Sequence, residues 1–409
     1  MKGILGGIRV VELGTHVAIP KAARVLADWG AEVIKVEPPG GEAWRTVGRE
    51  WGMPCEEDNN PVFQTENANK KSIAVNLKDS RGKEIMDKLL ATADVFMTNT
   101  RPKALERLGL SYQELKGRFP GLIYVHFSAY GKNGPDKDAP GFDSAAFWGR
   151  SGILQEWSEV DQVPFRPFPG FGDSTCSGYL AAGVLAALVK KLRTGEGELV
   201  ELSLYGTALW FNSTGVLMGQ PKYGREYPIV HGTEPNAFVP YYQTKDGDWI
   251  VLGSSTWNKH AAAVFRLVGM DKYADDPEYT DLEKSRTHLP EVIAVLREGY
   301  AKTSTEVVLS GLAEIGLVHA RLWNPREITQ DEQAWANGFL REVAMGNGET
   351  VVLPNPPVKF GSVKETAYHL GPLLGSDSDA VLRALGYRVE EIEVMAEDGC
   401  IIRRQKGVS

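Results

Sequence analysis

Between residues 8 and 205, short apolar runs alternate with stretches of helical spacing, and this alternation constrains the fold more than any other property of the chain. Residues 8–13 read as a buried strand, 21–29 as a helix with Ala22, Val25, Leu26 and Trp29 on one side, and 31–36 as a second strand. The pattern then repeats: strands within 69–77, at 94–98, 122–128 and 199–205, with helical spacing at 80–91, 102–108 and 174–192. Strands separated by helices need crossover connections, so the pattern predicts a mostly parallel, doubly wound α/β sheet with Rossmann-like layering. The first turn, Gly14-Thr15-His16-Val17-Ala18-Ile19-Pro20, lacks the G-x-G-x-x-G spacing that lets a pyrophosphate reach the helix, which argues against an NAD site.

Beyond residue 200 the character changes. Residues 219–234 are polar and broken by Gly and Pro; 238–253 read as a hairpin around Lys245-Asp246-Gly247-Asp248; helical segments follow at 258–268, 289–301 and 305–314. The expected division is a large domain over 1–200 that resumes at 328–409, linkers at 201–228 and 305–327, and a small α+β domain at 229–304. With 409 residues the chain has ample length for this. A net charge of −8 argues against a general nucleic-acid or membrane-surface role. Cys55, Cys176 and Cys400 lie far apart without a CxxC pair, and the histidines lack metal-ligand spacing, so neither a disulfide frame nor a metal site is expected. Residues 1–5 are too short for a signal peptide and no apolar run nears membrane-spanning length, so the expectation is a cytoplasmic enzyme.

In Pro169-Gly170-Phe171-Gly172-Asp173, two glycines let backbone come close to whatever lies beside Asp173. Leu180, Val184, Leu185 and Leu188 mark the following helix, which puts Asp173 at its N-cap. Ser174, Gly178, Ala182 and Ala186 are small at every i+4 step, so another backbone segment is expected nearby. An ordinary capping Asp and a carboxylate beside a tight pocket both fit this pattern. Residues 69–107 carry nine Lys/Arg against five Asp/Glu. Lys83 and Lys88 read as a solvated helix face, whereas Lys78, Arg101 and Arg107 follow strand ends and suit a phosphate-bearing small molecule.

Several stretches resemble the class III CoA-transferase family, which includes formyl-CoA, carnitine and 2-hydroxyacid CoA-transferases. They are LADWGAEVIKVE (26–37), NKKSIAVNLK (69–78), NTRPKALERL (99–108), GKNGPDKDAPGFD (131–143), Gly172-Asp173, Thr194-Gly195-Glu196-Gly197 and DEQAWAN (331–337) with the Pro354-Asn355-Pro356-Pro357 tail. The resemblance implies a Rossmann-like large domain built from both chain ends, and a homodimer of two subunits threaded as interlocked rings. It implies Asp173 as nucleophile, with coenzyme A contacted at His16 and Val17, at Val75, Asn76, Leu77 and Lys78, at Asn99, Thr100 and Arg101, and at Arg107. CoA would be part of the substrate, with no tightly bound cofactor; the partners would be acyl-CoA, a carboxylic acid and a second subunit.

The implied chemistry suits a carboxylate. It would attack the thioester, pass through a mixed anhydride and an aspartyl-CoA thioester, and need no proton relay. The carboxylate only has to keep its ordinary pKa of about 3.9. Backbone N–H groups of the turn are candidate oxyanion donors. The related α-methylacyl-CoA racemases carry a His where this chain has Phe142, which favours transfer over racemisation; His126, in the preceding strand, reads as a satisfied core imidazole. A non-catalytic CoA-binding protein is the remaining alternative. Departures from the oxalate-using enzymes are a first turn one residue shorter and lacking their Gln, and Ser254-Ser255-Thr256-Trp257 in place of a glycine-rich loop. These point to a larger, less polar acyl group. DEQAWAN and the closing Gly386-Tyr387 segment are similar to the 2-hydroxyacid branch, such as phenyllactate and 2-hydroxyisocaproate CoA-transferases, with Phe147, Trp148 and Trp257 as candidate acyl-pocket residues.

Overall fold

The computed structural model describes residues 3–56, 59–224, 227, 234–253, 256–363 and 367–404. Ser254, Ser255 and most of 225–233, where a linker and the start of the small domain were expected, lie outside the described residues. The chain divides into two compact units: Met1–Leu154 with Phe165–Gly224 and Gln333–Ser409, and Gln155–Pro164 with Arg225–Glu332.

The larger unit follows the predicted alternation: β1 (Arg9–Leu13), α1 (Ala18–Asp28), β2 (Glu32–Glu37), α2 (Pro61–Asn67), β3 (Lys71–Val75), α3 (Ser80–Ala91), β4 (Val95–Thr98), α4 (Pro102–Leu108), β5 (Ile123–Ser128), α5 (Phe171–Thr194) and β6 (Leu199–Ser203). The sheet order is β3-β2-β1-β4-β5-β6, all parallel, with an antiparallel Ile401–Ile402 strand on the outer edge of β3. Successive strand residues point to opposite faces. Val10, Val33 and Val95 therefore pack with Leu26 of α1 and Leu180 and Val184 of α5, while Val11, Ile34 and Phe96 pack with Ile85 and Leu89 of α3 and with Leu382, Ile392 and Ile401 from the chain's end. Residues 199–205 do not stay extended throughout. The Ser203 hydroxyl accepts from Gly206 N–H at 3.1 Å and caps a helix that starts at Leu204, so Tyr205 turns helical.

The smaller unit holds β7 (Tyr242–Gln243), β8 (Trp249–Leu252) and β9 (His319–Arg321) in one antiparallel sheet, with helices Trp257–Leu267, Leu289–Lys302 and Thr305–Ile315. Residues 305–327, expected as a linker, thus supply a helix and a strand of this unit, because Val308 and Leu312 pack into its core. Residues 201–224 likewise contribute helices Leu204–Phe211 and Ser213–Met218 to the larger unit rather than a linker.

Among the described residues one helix, α5, is long and apolar enough to cross a membrane by length and composition, against the expectation that no such run exists. Its buried side (Cys176, Leu180, Val184, Leu188) belongs to the core of the sheet.

Beneath the first β–α turn lies a fully buried ion network. Lys35 Nζ of β2 contacts Glu12 Oε1 at 2.8 Å, Glu42 Oε1 at 2.6 Å and the Gly14 carbonyl at 3.0 Å, and Lys70 Nζ meets Glu12 Oε2 at 2.7 Å. Burial alone would lower the Lys35 pKa, but Glu12, Glu42 and Glu37 outweigh it and hold the ammonium well above its usual value. Such a network stabilises only while complete, because a missing partner strands a desolvated charge. Lys35→Met is expected to lower unfolding free energy by ~3–5 kcal/mol in urea titration; parental stability would show that the network is dispensable.

Candidate active site

In a 3-2-1-4 sheet the loops after β1 and β4 diverge and leave a crevice at their carboxyl ends, where open α/β folds bind ligands. Here a reciprocal amide pair ties the crevice together: Thr15 N donates to Asn99 Oδ1 at 3.1 Å and Asn99 Nδ2 to the Thr15 carbonyl at 2.9 Å. His16 follows at φ 64°, a left-handed conformation that costs a non-glycine residue energy. Its N–H donates to Glu42 Oε2 at 2.7 Å, so the ion network below fixes this turn. A cavity of about 390 Å³ opens above it, lined among others by His16, Asn99, Arg101, His126, Phe142 and Asp173.

Asp173 enters this cavity on the first turn of α5. It is the third helical residue, and Gly170, at φ 81°, is the N-cap. The expected N-cap role for Asp173 is therefore corrected: the capping carboxylate belongs to Asp143, on a wide π-helical turn Asp143–Gly149. Asp143 Oδ2 accepts from Gly170 N–H and Oδ1 from Asp173 N–H, both at 3.2 Å. The Gly170 and Asp173 amides, among the expected oxyanion donors, are thus directed at Asp143. Gly172 has to be glycine: a Cβ there would stand 2.3 Å from both Asp143 Oδ1 and Phe147 Cγ. Val17 is buried under Gly170.

The electrostatics depart from expectation too. Burial pushes the Asp173 carboxyl up to about 7; Asp143 and then Glu66 add to the rise, and Lys21 opposes it. The carboxylate gains from the positive end of α5, yet two neighbouring acids and desolvation outweigh that gain. Burial also raises Asp143, which its backbone donors partly offset. Sequence reading missed both acids. Asp143 sat in a quoted motif without a role, and Glu66 in a segment that carried no signal.

Of the residues named from sequence, His16, Asn99, Thr100, Arg101 and Asp173 share one cavity. Leu77 and Arg107 line a separate recess of about 350 Å³ with Lys83 and Arg118; Arg107 stands in the last turn of α4 rather than at a strand end. Val75 is buried within β3, Asn76 N–H is taken by the Cys400 carbonyl at 2.8 Å, and Lys78 is exposed. His126 Nε2 lies 3.1 Å from the Thr100 carbonyl, which can only accept, so that nitrogen donates. Phe147 and Trp148 are buried in the large core and Trp257 in the small one, which removes them as walls of this cavity. Among the described residues the stripe beyond Ser174 meets no backbone: Gly178, Ala182 and Ala186 are exposed, and a Cβ on Gly178 would touch nothing within 4 Å. Among the described residues no group of His, Cys, Asp and Glu could hold a metal ion. Gly172→Ala is expected to displace Asp143 or Phe147 and lower turnover at least tenfold with far-ultraviolet dichroism unchanged; wild-type turnover would refute the packing argument.

Three comparisons bear on this geometry. Residues 5–378 match the profile of CoA-transferase family III. The chain is 37% identical over 389 residues to the (R)-2-hydroxy-4-methylpentanoate CoA-transferase of Clostridioides difficile, covering 95% of this chain and 97% of that protein. It is 34% identical over 409 residues to the cinnamoyl-CoA:phenyllactate CoA-transferase of Clostridium sporogenes, covering 98% of each. A crystal structure of a CAIB/BAIF family protein from Brucella suis superposes with TM-score 0.79 at 26% identity, over 94% of this chain and 100% of that one. The sheet order, the capped Gly-Asp turn and a match along nearly the whole sequence lead to one conclusion: the chain belongs to CoA-transferase family III and is a class III CoA-transferase.

Proposed function

We propose that the enzyme moves CoA from an acyl- or enoyl-CoA to a free 2-hydroxy acid of the aryl-lactate or 2-hydroxyisocaproate type, with Asp173 as the covalent relay. The observation that carries this reading is Asp173 itself, a partly buried carboxylate that lines the crevice beside Arg101 and Asn99. The 2-hydroxy-acid part rests on the activities of the two clostridial relatives.

In the proposed cycle the Asp173 carboxylate attacks the thioester carbonyl and CoA leaves as the thiolate, giving an aspartyl-acyl anhydride. The thiolate then attacks the aspartyl carbonyl, releasing the first acid and leaving an aspartyl-CoA thioester. The acceptor carboxylate attacks that thioester, expels the thiolate and forms a second anhydride. Thiolate attack on the new acyl carbon yields the product and regenerates Asp173. Each step exchanges one anion for another, so no side chain has to move a proton. Water must be kept away, since it would hydrolyse the anhydride. Phe142 stands at the position where the racemases carry their His and cannot carry a proton, which favours transfer over racemisation; His16 and His126 line the same cavity, and His126 Nε2 is engaged by the Thr100 carbonyl.

CoA contacts are proposed at His16, Val17, Asn99, Thr100 and Arg101 near the acyl end. Residues Val75, Asn76, Leu77, Lys78 and Arg107 would serve the nucleotide end, toward the recess that Arg107 lines. A homodimer, threaded as interlocked rings, is part of the same reading, as is a cytoplasmic location. Exposed Tyr179, Leu192, Trp210 and Phe211 on the larger unit support burial by a second subunit.

Incubation with cinnamoyl- or isocaproyl-CoA and a panel of acids, read by mass spectrometry with hydroxylamine trapping, tests the mechanism. Asp173→Ala is expected to abolish exchange while CoA still binds; retained turnover would overturn the relay. Only ionised Asp173 attacks, so kcat/KM is expected to fall as pH drops through about 7, where the raised carboxyl takes up its proton. A profile flat down to pH 5 would contradict that. Arg101→Ala is expected to raise the acyl-CoA KM about tenfold with a smaller change in kcat; an unchanged KM would remove Arg101 from the CoA site.

A further inference from the structure

His16, Arg101 and His126 share the cavity wall with Asp173, yet the charges that act on its carboxyl are two acids and one lysine, a balance that the reaction cycle does not explain. Asp143 reaches it from the π-helical turn and Glu66 from α2, and both disfavour its charge. Glu66 is buried, held by Trp44 Nε1 at 2.9 Å and by the Thr65 hydroxyl at 2.5 Å, and burial raises its own pKa. Arg24, further along α1, is turned away to Asp28 and to the Gln64 and Thr65 carbonyls. Cys176, one turn along α5, has its thiol pushed up to about 12 by burial, and so is neutral. One cation faces this group from α1. Lys21 Nζ donates to Ser174 Oγ, the residue after Asp173, at 3.0 Å, and lies 3.7 Å from Glu66 Oε1.

The packing explains how a lysine comes to be there. Ala22 and Ala23 beside it are fully buried in the core that α1 shares with α5, and from position 21 the side chain reaches Ser174 on the first turn of α5. About a third of the side chain remains exposed, while its ammonium bridges Ser174 and Glu66.

We propose that Lys21 is the positioning residue that supplies the counter-charge for Asp173: bridging Ser174 and Glu66, it sets one fixed positive charge beside a turn that otherwise gathers three carboxylates. The inference deepens the relay reading and rests on it for its catalytic consequence. In each half of the cycle negative charge passes between the Asp173 carboxylate, the CoA sulfur and the free acid. The Lys21 ammonium stands where it can balance whichever anion occupies the turn. A lysine that merely tied α1 to α5 would affect stability or rate equally at all pH values; a counter-charge shifts the pH at which Asp173 ionises.

The test has two arms, one of which needs no activity. Asp173 keeps its proton to higher pH in the folded than in the unfolded chain, so parent stability relative to Asp173→Asn falls as pH rises from about 4 to about 7, then levels off. Differential thermal unfolding of the pair locates that levelling point. With Lys21→Met in both partners, it is expected to move up by about one pH unit. In the activity arm the acid limb of kcat/KM moves by the same amount, which lowers the rate about fivefold at pH 7 and little at pH 9. Lys21→Arg restores both parental profiles; Lys21→Gln serves as the neutral variant if Lys21→Met does not fold. A levelling point and an acid limb that stay where the parent has them overturn the proposal. If transfer survives Asp173→Ala, the relay reading fails while the stability arm still decides the role of Lys21.

Discussion

Two backbone N–H groups, those of Gly170 and Asp173, point into the buried carboxylate of Asp143, and the rest of the candidate site depends on that pair of hydrogen bonds. A long helix must satisfy the amides of its first turn, and a local Ser, Thr or Asp usually does so. Here the cap arrives from 30 residues upstream. The side chain of Asp173 is therefore not consumed by its own helix and is left on the cavity wall. The same device brings a second negative group beside it and raises its proton affinity. Positioning and activation by a neighbouring charge are one interaction seen from two sides.

The first β–α turn is held by a different means. A dinucleotide-binding fold of this sheet order uses glycines there so that phosphate oxygens reach the helix amides. This chain places His16 at positive φ, gives its N–H to Glu42 and sets the ring at a tilt to Trp44 and Phe142, with centroids 6.0 and 5.6 Å away. Glu42 is in turn anchored by Lys35, whose charge is shared with Glu12. The energetic load of a strained residue is thus transferred to a buried ionic lattice that removal of any one member would break. What occupies the crevice next to this turn meets an imidazole and an aromatic wall rather than a bare helix end.

Much of this was legible beforehand, for identifiable reasons. Strand and helix periods gave β1 to β6 and the helix at 80–91 because both faces of a parallel sheet are buried and its strands read as continuous apolar runs. The glycine pair marked the close approach at Gly172 correctly, since steric exclusion leaves a residue-type signature. Other features were hidden. Asp143 caps a helix across a long sequence separation, which no local pattern can report. Glu66 matters through a distance in space, and the raised Asp173 carboxyl follows from burial and charges that only the tertiary arrangement assembles. Phe147, Trp148 and Trp257 misled because an aromatic side chain has the same sequence appearance whether it fills a core or lines a pocket. The small-residue stripe on α5 reported a face without saying what covers it.

The antiparallel strand Ile401–Ile402 has a consequence for biogenesis. It pairs with β3, Asn76 bonds to Cys400, Ser72 to Asp377 and Asn69 to His369, so the outer edge of the sheet is closed by residues far downstream in the sequence. On the ribosome, the first three strands emerge with that edge bare and must wait for roughly three hundred further residues before it is covered. The smaller unit, contiguous apart from a short upstream segment, leaves the exit tunnel earlier than the tail that completes its larger companion. Exposed strand edges recruit other chains. The nascent protein therefore has a defined period of vulnerability that lasts until residues 369–402 have been made, and a chain broken before them would keep that edge open.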